Sequence, residues 1–272
     1  MMSLPVLIEP SQLATLLDQP NLIIVDLSSI ETYQQGHIPG AIHLPSARLL
    51  RGEGDIPNKA PTANQLQALC HSLGLTPDDQ VIAYDDQGGP WAGRLMWTLN
   101  LLGHDACSVL NGQLPGWLAA GLQLEQGSNA AKTSDPYPIS LQTHLVADAA
   151  YILAHLNDQQ TQIWDARAAD EYRGEKVINV KRGGHIPGAI NLEWTDCLES
   201  LAMPRLKSKT ELQQILQQKG LEPHAEIITH CQTHRRSGLT YLVARHLGIN
   251  SIRCYDGSWF EWGNLSDTPI EV

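Results

Sequence analysis

The chain repeats itself at a spacing that no local motif would use. The segment VDLSSIETYQQGHIPGAIHL (Val25–Leu44) returns as WDARAADEYRGEKVINVKRGGHIPGAINL (Trp164–Leu192), and the histidines of the shared GHIPGAI, His37 and His185, stand 148 positions apart (185 − 37). Toward the far end of each half, VLNGQLPGW (Val109–Trp117) is echoed by CYDGSWFEW (Cys254–Trp262) at an offset of 145 (262 − 117). Near-equal offsets at both ends of a half imply a duplicated domain, and the period is too long for a solenoid. A chain of 272 residues has room for two such domains, each able to bury its own core. The stretch GSNAAKTSDPYPIS (Gly127–Ser140) is small, polar and proline-containing, without apolar periodicity, and reads as a linker between domains at 1–126 and 141–272.

Within each half, short apolar runs alternate with helical patterns. Leu22–Val25, Val81–Tyr84, Ser108–Leu110, Gln162–Trp164, Ile227–Thr229 and Ser251–Ile252 read as strands. They lack in/out alternation, as expected of parallel strands covered on both faces. Leu239, Leu242, Val243, His246 and Leu247 carry the spacing of one buried helix face, and Leu95, Leu99 and Leu102, with Trp97 and Trp117, read as core. The expected architecture is therefore α/β: two domains, each a mostly parallel sheet with helices on both faces.

Charge and cysteine content exclude several classes. A formal net charge of −11 argues against nucleic acid or an anionic membrane surface as partner. No run approaches the roughly 18 apolar residues that span a bilayer. The five cysteines (Cys70, Cys107, Cys197, Cys231, Cys254) form no C-x-x-C pair, so neither a disulfide framework nor a zinc site is expected. A reducing compartment fits better, and the N-terminus has no positively charged leader, so the expected location is the cytoplasm.

One segment carries chemistry. In EIITHCQTHRRSGLTYLVA (Glu226–Ala244) an apolar strand runs into a polar loop, and an amphipathic helix begins near Ser237, a good N-cap. Loops at the carboxyl ends of strands in open α/β sheets are where ligands bind. A helix N-terminus together with Arg235 and Arg236 favours the anionic form of Cys231, because such settings lower a thiol pKa from near 8.5 to about 3.5–7.5. The same amides would hold an oxyanion or a persulfide. His230, Cys231 and His234 fall short of the four ligands of structural zinc, so no metal and no cofactor are expected.

With GHIPGAI in both halves, the Cys231 loop and DGSWFEW (Asp256–Trp262), the chain resembles the rhodanese family, specifically its tandem-domain sulfurtransferases, over nearly its whole length. The resemblance implies that Cys231 opens a six-residue loop ending at Arg236 and acts as the nucleophile. Gln232, Thr233, His234, Arg235, Arg236 and Ser237 are expected around the substrate, with Arg167 and Arg173 as further cations. Glu171 stands where some members carry a substrate-contacting arginine, and a carboxylate there would repel an anionic donor. Asp165 and His185 are expected to be structural groups near the site, Asp165 pairing with Arg167 and His185 repeating His37. Asp85, opposite Cys231 when the halves are aligned, cannot form a persulfide, and the first domain is expected to be catalytically silent.

The implied reaction takes a sulfane sulfur from thiosulfate, or alternatively from 3-mercaptopyruvate, and hands it to cyanide or a thiol. Two other classes compete. A Cys-dependent phosphatase or arsenate reductase uses C-x5-R, a pattern broken here because the seventh residue is Ser237. A non-catalytic binding module would suit the first domain but not the second.

Overall fold

Residues 4–272 are described by a computed structural model. The first half runs β1 (Leu7–Ile8), α1 (Pro10–Ala14), β2 (Leu22–Asp26), α2 (Ile30–Gln35), β3 (Ile42–His43), α3 (Ala63–Leu73), β4 (Gln80–Tyr84), α4 (Pro90–Leu102), β5 (Cys107–Leu110) and α5 (Gln113–Ala119). The second half repeats the series as β6 (Val146–Ala147), α6 (Ala149–His155), β7 (Thr161–Asp165), α7 (Ala169–Tyr172), β8 (Ile190–Asn191), α8 (Lys209–Lys219), β9 (Glu226–His230), α9 (Arg236–Leu247), β10 (Ile252–Tyr255) and α10 (Ser258–Trp262). Both sheets are parallel and share one strand order, β1-β5-β4-β2-β3 and β6-β10-β9-β7-β8. Among the described residues, no helix is long and apolar enough to cross a membrane.

The unbroken apolar strands are explained by what lies on each side of them. In β2, Ile23 and Val25 enter a central core while Ile24 enters an outer one; in β4, Val81 and Ala83 face inward and Ile82 and Tyr84 outward. The second half does the same, with Trp164, Ile227 and Cys254 inside and Ile163, Ile228 and Tyr255 outside. Helices α3, α4, α8 and α9 cover the inner faces, while α1, α5, α6 and α10 cover the outer ones.

The central core is common to both halves, and each half also has an outer core of its own. The two-sided packing of the central core rests on α4 against α9. At the crossing, a Cβ on Gly93 would lie 2.1 Å from the Gly238 carbonyl oxygen, and one on Gly238 would lie 2.4 Å from that of Pro90. Only glycine lets the two helix backbones approach so closely. Around this contact, Tyr241 donates to Asn100 Oδ1 (2.9 Å), Asp256 accepts from the Ala60 N–H (2.8 Å), Lys59 pairs with Glu261 (3.1 Å) and Arg205 pairs with Glu9 (2.7 Å).

The two GHIPG motifs make equivalent contacts. His37 Nδ1 meets the Tyr33 carbonyl at 2.9 Å and the ring stacks on Tyr33 at 3.8 Å; His185 meets the Tyr172 carbonyl at 3.0 Å and stacks on Tyr172 at 3.7 Å. Each histidine backbone also pairs with the segment that ends its half, at Glu125 and Glu271.

Candidate active site

Cys231 follows the last residue of β9 and is 1% exposed, in a loop whose far end enters α9. The C-terminal signature clamps that loop: the N–H groups of Trp259 and Phe260 donate to the carbonyls of Cys231 (3.0 Å) and Gln232 (2.9 Å). The expectation that Ser237 caps the helix needs correcting. The N-cap lies two residues earlier, at Arg235, without a side-chain cap, and Ser237 is buried with its hydroxyl 2.7 Å from His234 Nδ1.

The sulfur is stabilised as an anion. Burial alone would raise the Cys231 thiol, but the Arg236 charge, the Ser237 N–H and hydroxyl and the Thr233 N–H outweigh it, leaving the pKa below that of an ordinary thiol. Burial pushes Cys70 up to about 11 and raises Cys107, Cys197 and Cys254 as well, so Cys231 alone among the five has a lowered pKa. If the Ser237 hydroxyl hydrogen points to sulfur, its oxygen must accept from His234, which requires the Nδ1-protonated tautomer. Burial, with Arg94 and His230 nearby, holds His234 well below the ordinary imidazole range, so it is neutral.

Three expected substrate contacts are engaged elsewhere. Gln232 Nε2 donates to the Ile178 carbonyl at 2.6 Å. Arg167 is 1% exposed, grips Asp165 through Nε (3.0 Å) and Nη2 (2.5 Å), donates to the Gly184 carbonyl and lies 4.4 Å over Trp259. It is a structural cation rather than a free anion receptor. Arg173, more than half exposed, binds both oxygens of Glu175 at 2.8 Å instead of compensating for the missing family arginine. Asp165 also faces His230 at 3.6 Å; burial and Arg167 keep that imidazole neutral despite the carboxylate.

Glu171 corrects the expectation of repulsion. It is 2% exposed and binds Arg236 in a two-armed pair, Nη1 to Oε2 at 2.5 Å and Nη2 to Oε1 at 2.8 Å. This fork fixes the guanidinium beside the sulfur and matches its charge. Arg235 is exposed and contacts the Gln87 amide oxygen at 3.2 Å, with its guanidinium 6.0 Å from the Trp91 ring, so it is the loop cation left for an incoming anion.

The first half holds a filled copy of the same cradle. After β4, Asp85 accepts from four backbone N–H groups: Gln87 (2.9 Å) and Gly89 (2.8 Å) on one oxygen, Trp91 (2.8 Å) and Ala92 (3.1 Å) on the other. The Asp85 carboxyl thus fills the anion position at the start of α4, where burial raises its pKa and the four N–H donors act against that rise. Asp85→Ala would leave these donors without their acceptor and should lower stability by about 2–4 kcal/mol. Turnover per folded molecule should change only modestly. Denaturant unfolding beside steady-state assays at low temperature separates the two; an activity loss like that of a Cys231 variant would place the first half in the chemistry.

Groups from the first half that sequence reasoning passed over also reach the loop: Arg94, Trp97, Trp91 and Gln87. The signal for Arg94 was present, the one charged residue in the mostly apolar run WAGRLMWTLNLL (Trp91–Leu102). Elsewhere, a cavity of about 560 Å³ lies at the amino ends of β2, β4 and β5, lined by Leu22, Gln80 and Cys107, and shares no residue with this site.

Residues 9–120 and 148–265 each match the rhodanese-like domain. The chain is 44% identical to a thiosulfate sulfurtransferase of Azotobacter vinelandii over 99% of its own length and 98% of the relative's. It is 43% identical, with the same coverage of both chains, to a thiosulfate sulfurtransferase of Pseudomonas aeruginosa. The crystal structure of the 3-mercaptopyruvate sulfurtransferase SseA from Escherichia coli superposes with a TM-score of 0.84 at 27% identity, covering 94% of this chain and 99% of SseA. Two matched domains in tandem and similarity along the whole length make this chain a member of the rhodanese family.

Proposed function

We propose that the protein is a thiosulfate sulfurtransferase that carries sulfur on Cys231. The observation that carries this reading is the setting of Cys231, which is buried just past β9 in a loop clamped by the Trp259 and Phe260 N–H groups, with Arg236 fixed by the Glu171 fork; there the loop donors outweigh burial and lower the thiol pKa. The Cys231 thiolate attacks the outer sulfur of thiosulfate; the S–S bond breaks, sulfite leaves with the electron pair, and a Cys231 persulfide remains. Cyanide, or a thiolate, then attacks the outer sulfur and the Cys231 thiolate departs, so neither oxidant nor reductant is consumed. The negative charge stays near the same donors throughout, which is stabilisation by groups already in place.

Thiosulfate is favoured over 3-mercaptopyruvate because it is a compact dianion and Arg235 remains available to meet it. Intact mass after incubation with thiosulfate should show one added sulfur, lost on adding cyanide. Steady-state kinetics at fixed cyanide should give a higher kcat/KM for thiosulfate, and Arg235→Ala should raise its KM roughly two- to fivefold, the range of an exposed charge contact. A clear preference for 3-mercaptopyruvate would overturn the donor assignment while leaving the persulfide chemistry standing.

A further inference from the structure

Arg94 is the one cation of α4, with 0% exposure, and it belongs to the half that lacks a nucleophile. Its guanidinium binds three backbone carbonyls: His234 in the catalytic loop (3.1 Å), and Leu49 and Asn58 in the first half (both 3.0 Å). It lies 4.6 Å over the Trp97 ring, and Trp97 in turn meets the His234 ring edge-on at 4.6 Å. The acceptors of its hydrogen bonds are carbonyls rather than carboxylates. Burying a cation in this way is costly, and burial pushes Arg94 down to about 10, with Asp256, Cys254 and Cys231 acting in the opposite direction.

The residue at the end of this contact is strained. His234 has φ +53°, in the left-handed region that a side chain other than glycine's disfavours, while the next residue, Arg235, returns to right-handed geometry. Successive backbone turns of opposite hand aim N–H groups into a concave anion nest. That reversal lies between Thr233 and Ser237, whose N–H groups both serve the Cys231 sulfur. Strained backbone of this kind persists only where its surroundings hold it. Arg94 holds the His234 carbonyl, and Trp97 packs the ring.

We propose that Arg94 is a positioning residue by which the silent half keeps the Cys231 loop in its anion-binding shape. The duplicated half is then a working part of the site, although it supplies no reacting atom. This inference rests on Cys231 being the nucleophile, and it goes further by assigning the loop's geometry to a residue across the domain boundary.

The test compares Arg94→Gln, which removes the charge and the fork, with Arg94→Lys, which keeps the charge but cannot span three carbonyls. The pH dependence of Cys231 alkylation by iodoacetamide, with the modified peptide located by mass, reads the thiolate pKa. Thiosulfate–cyanide kinetics and thermal unfolding are measured on the same preparations. In Arg94→Gln the thiolate pKa should rise by about half a unit or more. Its kcat should fall on the order of 10- to 100-fold, the cost of a small misplacement, with KM for thiosulfate little changed because Arg94 does not meet the donor. Arg94→Lys should lie between this variant and the wild type.

A residue serving stability alone would lower the melting temperature and leave the alkylation profile where it was. A folded Arg94→Gln with wild-type thiolate pKa and kcat overturns the proposal; if that variant does not fold, a wild-type profile in Arg94→Lys does so. Alkylation needs no sulfur donor, so a protein that proved not to use thiosulfate would still report on Arg94.

Discussion

Cys231→Ser is expected to abolish sulfur transfer to the limit of detection while the protein stays folded. The hydroxyl is a poor nucleophile at its ordinary pKa, and it cannot carry a sulfane sulfur as a persulfide. The substitution removes neither Arg236 nor the loop amides, so it deletes the reacting atom and leaves the cradle in place. No other cysteine can stand in: Cys70, Cys107, Cys197 and Cys254 are buried with raised thiol pKa values, and all four belong to the central core. Replacing those four together should leave transfer per folded molecule largely intact, although filling their places in the core with other side chains carries a stability cost. Cyanide-dependent thiocyanate formation and intact mass after thiosulfate measure both outcomes, and substantial turnover in Cys231→Ser would remove the assignment.

Glu171→Gln is expected to damage both stability and turnover although the residue touches no reacting atom. The carboxylate and Arg236 are 3% and 16% exposed at their side chains, and removing Glu171 leaves the buried guanidinium with only the Cys231 thiolate as counter-ion, at a cost of about 2–4 kcal/mol, below that of a pair broken outright. Turnover should fall too, because the guanidinium that lowers the Cys231 pKa loses the fork that orients it. Chemical denaturation gives the stability change. A double-mutant cycle with Arg236→Gln should show strong coupling in stability, since both single losses include the same ion pair. If Glu171 instead repelled the donor, Glu171→Gln would lower KM for thiosulfate and leave stability unchanged, and that result would contradict the pairing role.

The sequence by itself determined the duplication, the parallel α/β class of each half and the loop that bears Cys231. These are local properties: a repeated motif, an apolar run of strand length and a polar turn between strand and helix are all written in contiguous residues. The two-residue strands β1, β3, β6 and β8 were not legible, because segments so short have no periodicity and are strands only by pairing with a longer neighbour.

Charges were legible only in part for a related reason: the Asp165–Arg167 pair is expected from sequence, but the partners of Arg173 and Glu171 are not. Arg167, Arg173 and Glu171 look alike on the page as ionic side chains near a site, yet each one's role depends on which partner the fold delivers. Arg167 receives Asp165, Arg173 receives Glu175, and Glu171 receives Arg236 from 65 residues away. The same holds across the boundary between halves, where Gly93 and Gly238 bring α4 and α9 together and place Arg94 against the His234 carbonyl. Hydrophobic pattern is set by where a residue sits in its own element, so sequence carries it; the effective charge of a buried group is set by what packs against it, so only the tertiary structure decides it.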